Sequence, residues 1–155
     1  MHPSARRVQA ALEAGGVGAR VIETGETART AADAAATLGT TVGCIVKSLV
    51  FMAGDEPVLV LTSGTNRVDV GKVASVLGVD GVRRATAAEV REATGHPVGG
   101  VAPLGHPRPL RVLCDADLLR HDEVWAAAGT PDTVFPVPPD ELVRITGATV
   151  ADVAE

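Results

Sequence analysis

Three observations predict an α+β fold with a mixed, strongly curved sheet. Residues 45–52 and 57–62 are two β-rich runs joined by a four-residue turn, and several helix starts are marked by a capping threonine or aspartate. Hairpins and helical crossovers alternate along the chain with no repeat and no linker between them. The length of 155 residues fits a single domain, 1–155, able to bury a substantial core.

Taken in order, Ser4 is placed to cap a first helix that carries Val8, Ala11 and Leu12 on its apolar side and stops at Gly15-Gly16. A short strand is expected over Ala19 to Glu23. Thr30-Ala31-Ala32-Asp33 opens an alanine-rich helix ending at Gly39; its small side chains imply close packing on a sheet. The hairpin comes next, turning at Ala53-Gly54-Asp55-Glu56. Asp69 caps a helix through Val70, Val73, Val76 and Leu77, closed by Gly78, and Val82-Arg83-Arg84 is a short strand. Thr86-Ala87-Ala88-Glu89 is a capping box whose helix ends near Gly95. Leu110 to Cys114 is a strand, and Asp115 caps the segment after it. Val124 to Ala128 and Val134 to Val137 form two more, joined through Gly129-Thr130-Pro131-Asp132. Pro138-Pro139-Asp140-Glu141 starts a helix through Leu142 to Ile145, and Thr149 to Val153 reads as a terminal helical turn.

Composition narrows the function classes. Only Phe51, Phe135 and Trp125 are aromatic, so Ala, Val and Leu fill the core, and no platform for stacking several bases exists. A net charge of −5 argues against indiscriminate nucleic-acid binding over the whole surface, DNA included, while leaving room for a local basic patch. Cys44 and Cys114 lie in apolar runs and read as reduced core thiols; no zinc-like spacing of His and Cys occurs, so neither a metal nor a cofactor is expected. The N-terminal residues lack the apolar run of a secretory signal and no window is long enough to span a membrane, which predicts a cytoplasmic protein without membrane partners.

Two stretches stand out chemically. Gly99-Gly100-Val101-Ala102-Pro103-Leu104-Gly105 holds three glycines and one proline in seven residues, a bend able to present bare N–H groups to a carbonyl or phosphate oxygen. Read alone it is also an ordinary tight connection. Gly43 to Phe51 reads as a buried strand with Lys47 in its middle. A lysine there is either an edge-strand charge that discourages aggregation or a group held at a cavity. Strand alternation puts Ile45, Lys47 and Leu49 on one face and Cys44, Val46 and Ser48 on the other, so Lys47 and Cys44 should not share a pocket.

The ordered set of fragments resembles the YbaK/EbsC family, the aminoacyl-tRNA deacylases related to the editing insertion of prolyl-tRNA synthetase. The resemblance rests on Thr30–Ala35 leading to Leu38-Gly39, on Ile45–Phe51, on Val68-Asp69-x-x-Lys72, on Val98–Gly105, on Asp115 after a strand, and on Glu141–Ala148. It spans nearly the whole chain. It implies a barrel-like mixed sheet flanked by helices, a site beside the lysine strand and glycine loop, and hydrolysis of a wrongly attached amino acid from tRNA, often proline tRNA. The implied partners are the acceptor end of a mischarged tRNA and, as a further candidate, an aminoacyl-tRNA synthetase.

On that reading Lys47 acts electrostatically on the ester, ribose or phosphate. The backbone of Gly99, Gly100, Val101 and Ala102 supplies oxyanion donors, because a reactive ester needs positioning and charge stabilisation more than a strong nucleophile. Pro103, Leu104, Gly105, His106, Arg67 and Lys72 are candidates for holding substrate; His106 is equally a solvated turn residue, and Asp69 a plain helix cap. Two departures stand against the family pattern. Ala102 occupies the position of a commoner serine, and Gly129–Val134 lacks the basic residue of the cysteinyl-tRNA members. Ala- and Val-rich walls point to a small amino acid. The alternatives are a binding module of the same fold without turnover, and a general esterase; Ser63-Gly64 lacks the nucleophile-elbow pattern the latter needs.

Overall fold

The computed structural model describes residues 1–155. In chain order it contains α1 (Pro3–Ala14), β1 (Ile22–Glu23), α2 (Ala31–Leu38), a 3-10 turn (Val42–Cys44), β2 (Val46–Ala53), β3 (Glu56–Ser63) and α3 (Val70–Leu77). After these come β4 (Arg83–Arg84), α4 (Ala87–Thr94), β5 (Arg111–Asp115), a second 3-10 stretch (Ala116–Arg120), β6 (Val124–Ala127), β7 (Thr133–Val137), α5 (Pro139–Thr146) and β8 (Thr149–Ala151).

The local signals act as expected at three helix starts. The Thr30 hydroxyl accepts from Asp33 N–H, Asp69 from Lys72 N–H, and Thr86 and Glu89 complete a reciprocal capping box. At α1 the start differs. Pro3, with its fixed φ, takes the first helical position, and His2 Nδ1 accepts from Ser4 N–H at 3.0 Å. Ser4 therefore lies inside the helix, buried, with its hydroxyl accepting from Arg7.

The strands form two sheets rather than one. The larger has the order β4-β2-β3-β5-β8 and the smaller β1-β7-β6. Neither closes into a barrel. The physical reason lies in β2. It pairs along its length with β3, but on its other side β4 reaches only Phe51 and Met52. Toward the start of β2 the smaller sheet touches it through a single bridge, Ile45 to Trp125. The edge between these two contacts stays open. A second correction concerns 149–153: Thr149–Ala151 is not helical but pairs in parallel with Leu113–Asp115, giving the large sheet its last strand.

The two faces of the large sheet bury different clusters. Val46, Val50, Leu59 and Leu61 join α1, α5, the small sheet and residues 101–104 in the main core. Phe51, Val58, Val60 and Leu113 pack with Val73 of α3 and with Val153, and Leu49 sits against them. Lys47 pairs across β3 with Thr62 and shares this second face with Leu49.

Candidate functional site

The open half of β2 is the floor of a cavity of about 310 Å³, within the size range of ordinary ligand sites. Six consecutive residues, Ile45 to Val50, line it. Because successive side chains point to opposite faces, a cavity that touches all six must run along the strand edge and reach around both sides. Its roof comes from α2 (Ala31, Ala34 and Leu38), from Val98, Gly99 and Val101, and from Trp125, Pro131, Thr133 and Val134 of the small sheet and its turn. Three cations, Arg29, Lys47 and Arg84, are the only ionisable side chains in this wall. No carboxylate joins them, although the chain as a whole carries −5.

Lys47 is anchored rather than free. Its ammonium donates to the carbonyl oxygen of Asn66, and Asn66 Nδ2 donates in turn to Asp115 Oδ2 and Asp117 Oδ2, each at 2.8 Å. Asp115 is buried and also accepts from Thr62 Oγ1 and Ser63 N–H through Oδ2, while Oδ1 accepts from Asp117 N–H as the expected cap. Burial raises its pKa, but these hydrogen bonds outweigh that effect, and the net shift is downward. Lys47 is lowered chiefly by burial, then by the positive charges of Arg67 and Arg84, with Asp115 opposing. Cys44 is absent from the cavity wall, but not because of strand alternation, since Val46 and Ser48 of the opposite face line it beside Lys47. It lies half-buried in the 3-10 turn, with Sγ 3.4 Å from His121 Nδ1, and so is not the core residue its apolar neighbours imply. Cys114 is, its thiol pushed up to about 12 mainly by burial.

The glycine loop contributes two residues to the wall. Gly99 has φ +89°, a conformation that a side chain resists, and no atom lies within 4 Å of where its Cβ would stand. Gly100 is hemmed in instead: a Cβ there would lie 2.8 Å from the carbonyl carbon of Thr130 and 2.9 Å from its Cα. Gly100 N–H donates to Pro97 O at 2.9 Å, and Ala102 N–H donates to His96 Nδ1 at 3.2 Å. Those two amides are engaged within the loop. The N–H groups of Gly99 and Val101 have no acceptor in the protein, and these are the two loop residues that line the cavity.

The other predicted residues lie elsewhere. Ala102 points into the main core, so a hydroxyl at this position would not reach the cavity. Leu104 is core, Gly105 packs on Val8 of α1, and His106 Nε2 donates to Ala102 O at 2.7 Å; with Pro103 they run away from the cavity. Lys72 is held by Asp152 (2.8 Å) and Ala154 O (2.7 Å), outside the wall; Arg67 is also outside the wall, its carbonyl accepting from Glu155 N–H, but its positive charge is near enough to act on Lys47.

Sequence reasoning missed Ser48 and His96, and it weighed Arg29 and Arg84 as phosphate contacts but preferred solvated surface for both. Arg84 reads as scattered surface charge until β4 is seen beside the cavity. The Ser48 hydroxyl is buried without a partner and belongs to a wall residue. His96 is 1% exposed, and nothing in its sequence neighbourhood marks it as interior.

A cleft between two sheets, edged by the open half of β2 and with Lys47 in its wall, is the candidate ligand site of this α+β domain. The chain belongs to the aminoacyl-tRNA editing domain family, whose model matches residues 25–145. An uncharacterized protein of Bacillus subtilis (strain 168), YwhH, is 33% identical over 122 residues, 78% of this chain and 77% of its own length. A proline–tRNA ligase of Nitratidesulfovibrio vulgaris (strain DP4) is 36% identical over 107 residues; they make up 68% of this chain but 18% of the synthetase. Among solved structures, a candidate trans-editing enzyme for prolyl-tRNA synthetase is similar over 100% of this chain and 99% of its own, with 51% identity and a TM-score of 0.94.

Proposed function

We propose that this chain is a freestanding deacylase that hydrolyses the ester between a small mischarged amino acid, alanine- or cysteine-sized, and tRNA, with proline tRNA as the first candidate. The observation that carries this reading is the pairing in one cavity of an all-cationic charge set with two unengaged backbone amides. The cations suit the phosphates and ribose of an acceptor end; the amides of Gly99 and Val101 suit the oxygen of an ester carbonyl as it becomes an oxyanion. The likeness to a trans-editing enzyme and to a stretch of proline–tRNA ligase supports the same substrate class.

In this mechanism Lys47, fixed by Asn66, holds the negative end of the substrate. The loop donors stabilise charge on the carbonyl oxygen, and apolar walls around Ala31, Ala34, Leu49 and Val101 enclose a short side chain. Water attacks the ester carbonyl, the acyl–oxygen bond to the ribose breaks, and the departing ribose oxygen takes up the proton that the water gives up; a hydroxyl of the substrate itself is the group left to orient that water, since no His, Asp, Glu or Cys lines the cavity to act as base. That absence also favours the second reading, a module that binds aminoacyl-tRNA without cleaving it. The partners on either reading are the acceptor end of a charged tRNA and, for delivery, a synthetase; both place the protein in the cytoplasm, and no helix is long and apolar enough to cross a membrane.

The test is deacylation of a panel of mischarged tRNAs by the wild type and by Lys47→Ala. We expect release of a small amino acid and a loss of about 100-fold or more in kcat/KM for the variant. Binding without ester cleavage by the wild type selects the second reading, and an unimpaired Lys47→Ala removes the lysine from the mechanism.

A further inference from the structure

The two unengaged amides belong to the loop residues that line the cavity, and the segment that follows them is held by imidazoles. His96 Nδ1 accepts the Ala102 N–H at 3.2 Å, and His106 Nε2 donates to the Ala102 carbonyl at 2.7 Å. The rings lie 5.8 Å apart. Accepting at Nδ1 assigns His96 the tautomer that carries its proton on Nε2. That Nε2–H is buried and has no partner, and it packs against Gly129, where a Cβ would stand 3.2 Å away. The backbone of His96 is held by the Thr94 hydroxyl, which accepts from His96 N–H and donates its one proton to Val90 O at 2.7 Å, with His96 O the longer alternative at 3.3 Å. A phenylalanine or leucine would fill this site without leaving a polar hydrogen unsatisfied. What an apolar side chain lacks is the acceptor for Ala102.

We infer that His96 and His106 are positioning residues, which clamp the two peptide planes flanking Ala102 so that the amides of Gly99 and Val101 point into the cavity. The role rests on the deacylase reading for its activity readout and on loop geometry for a readout of its own. The clamp works in only one protonation state of His96. A proton on Nδ1 replaces the acceptor with a donor facing the Ala102 N–H, and the loop lets go. The charged and titratable groups that face the ring are Arg7 of α1 and His106 of the loop itself, and both oppose a second positive charge there.

The conservative pair His96→Asn and His96→Leu separates this role from simple packing. Asparagine Oδ1 can stand where Nδ1 stands and accept the same N–H, without titrating; leucine cannot accept. On the aminoacyl-tRNA that the wild type cleaves fastest, His96→Leu is expected to lower kcat about 100-fold with KM changed less than about threefold. His96→Asn should return to within about tenfold of the wild type and lose its acid limb in the kcat–pH profile. Amide hydrogen exchange gives the second measurement: protection at Ala102 is present in the wild type, kept in His96→Asn and lost in His96→Leu. If His96→Leu fails to fold, the same comparison is made with His106→Gln, whose amide can replace the Nε2 donor, against His106→Ala. A folded His96→Leu with unchanged kcat and unchanged Ala102 protection overturns the clamp, as does an asparagine variant as defective as the leucine one. A wild type that cleaves no ester refutes the deacylase reading, and the exchange data still decide the clamp.

Discussion

Lowering the pH from 7 to 5 should destabilise this protein through one buried ring. Burial, followed by the nearby positive charges of His106 and Arg7, lowers the pKa of His96 from 6.5 to about 4. Between those values the unfolded chain binds a proton that the folded chain refuses, so stability rises with pH through the window and is fully present only above about 6.5. Linkage then places the loss at about 2 kcal/mol at pH 5 and about 3 kcal/mol at pH 4, both relative to neutral pH. With a urea dependence of roughly 2 kcal/mol per molar, the unfolding midpoint should fall by about 1 M between pH 7 and pH 5. His106 is lowered by burial too and adds in the same direction. Carboxylates do not blur the comparison of pH 7 with pH 5, though they add to the loss at pH 4. Glu89, held at about 2 by its hydrogen bond from Arg83, and Asp115, also lowered, keep nearly all of their contributions at pH 5 and lose them as the pH falls further through the ordinary carboxylate range. The assay is urea unfolding of the wild type and His96→Asn at both pH values. A markedly shallower pH dependence in the variant supports the argument; parallel losses in the two proteins would refute it.

Two further outcomes are set by the site's geometry. Gly100→Ala drives a methyl into the backbone of Thr130 and should cost about 1–3 kcal/mol and misplace the loop. Gly99→Ala meets no atom and should cost only the strain of its positive φ, about 1–2 kcal/mol; thermal unfolding of the two variants measures the contrast. Asp115→Asn places an amide where Oδ2 now accepts three hydrogen bonds, and should cost about 2–3 kcal/mol in chemical denaturation while loosening the Asn66 carbonyl that holds Lys47.

How much of the fold and site is legible in the sequence divides along the range of the interactions. Caps at Thr30, Asp69 and Thr86 and the 53–56 turn are decided within a few residues, and all are readable. Thr149–Ala151 is not. Three residues have too little pattern to declare a strand, and their partner, β5, lies over thirty residues away. The same limit hides the division into two sheets, which depends on how far β4 extends along β2. At the site, the lysine and the loop are visible as types of residue. Which loop amides are engaged is not, because that depends on His96, a residue whose burial is set by α1, the β6–β7 turn and the loop together.

The ambiguity over Lys47, edge charge or cavity group, resolves into both. The second half of β2 is an interior strand, with β3 on one side and β4 on the other; the first half, where Lys47 lies, has β3 alone. Val50 O accepts from Ala85 N–H across the β4 side, and main-chain groups two residues apart point the same way, so the N–H and C=O of Ser48 face the open edge. An unpaired edge within an apolar wall would ordinarily invite another strand. Here α2, the loop and Trp125 close over it instead, and there remains a slot whose polar wall holds the main-chain pair and orphan hydroxyl of Ser48, Thr30 and Thr133, the loop residues Gly99 and Val101, and the cations Arg29, Lys47 and Arg84. Such a slot reads a short, planar, hydrogen-bonding group attached to something negatively charged. On the function proposed above, an aminoacyl ester on an acceptor end is the group of that form, and the open edge of β2 is where it would sit.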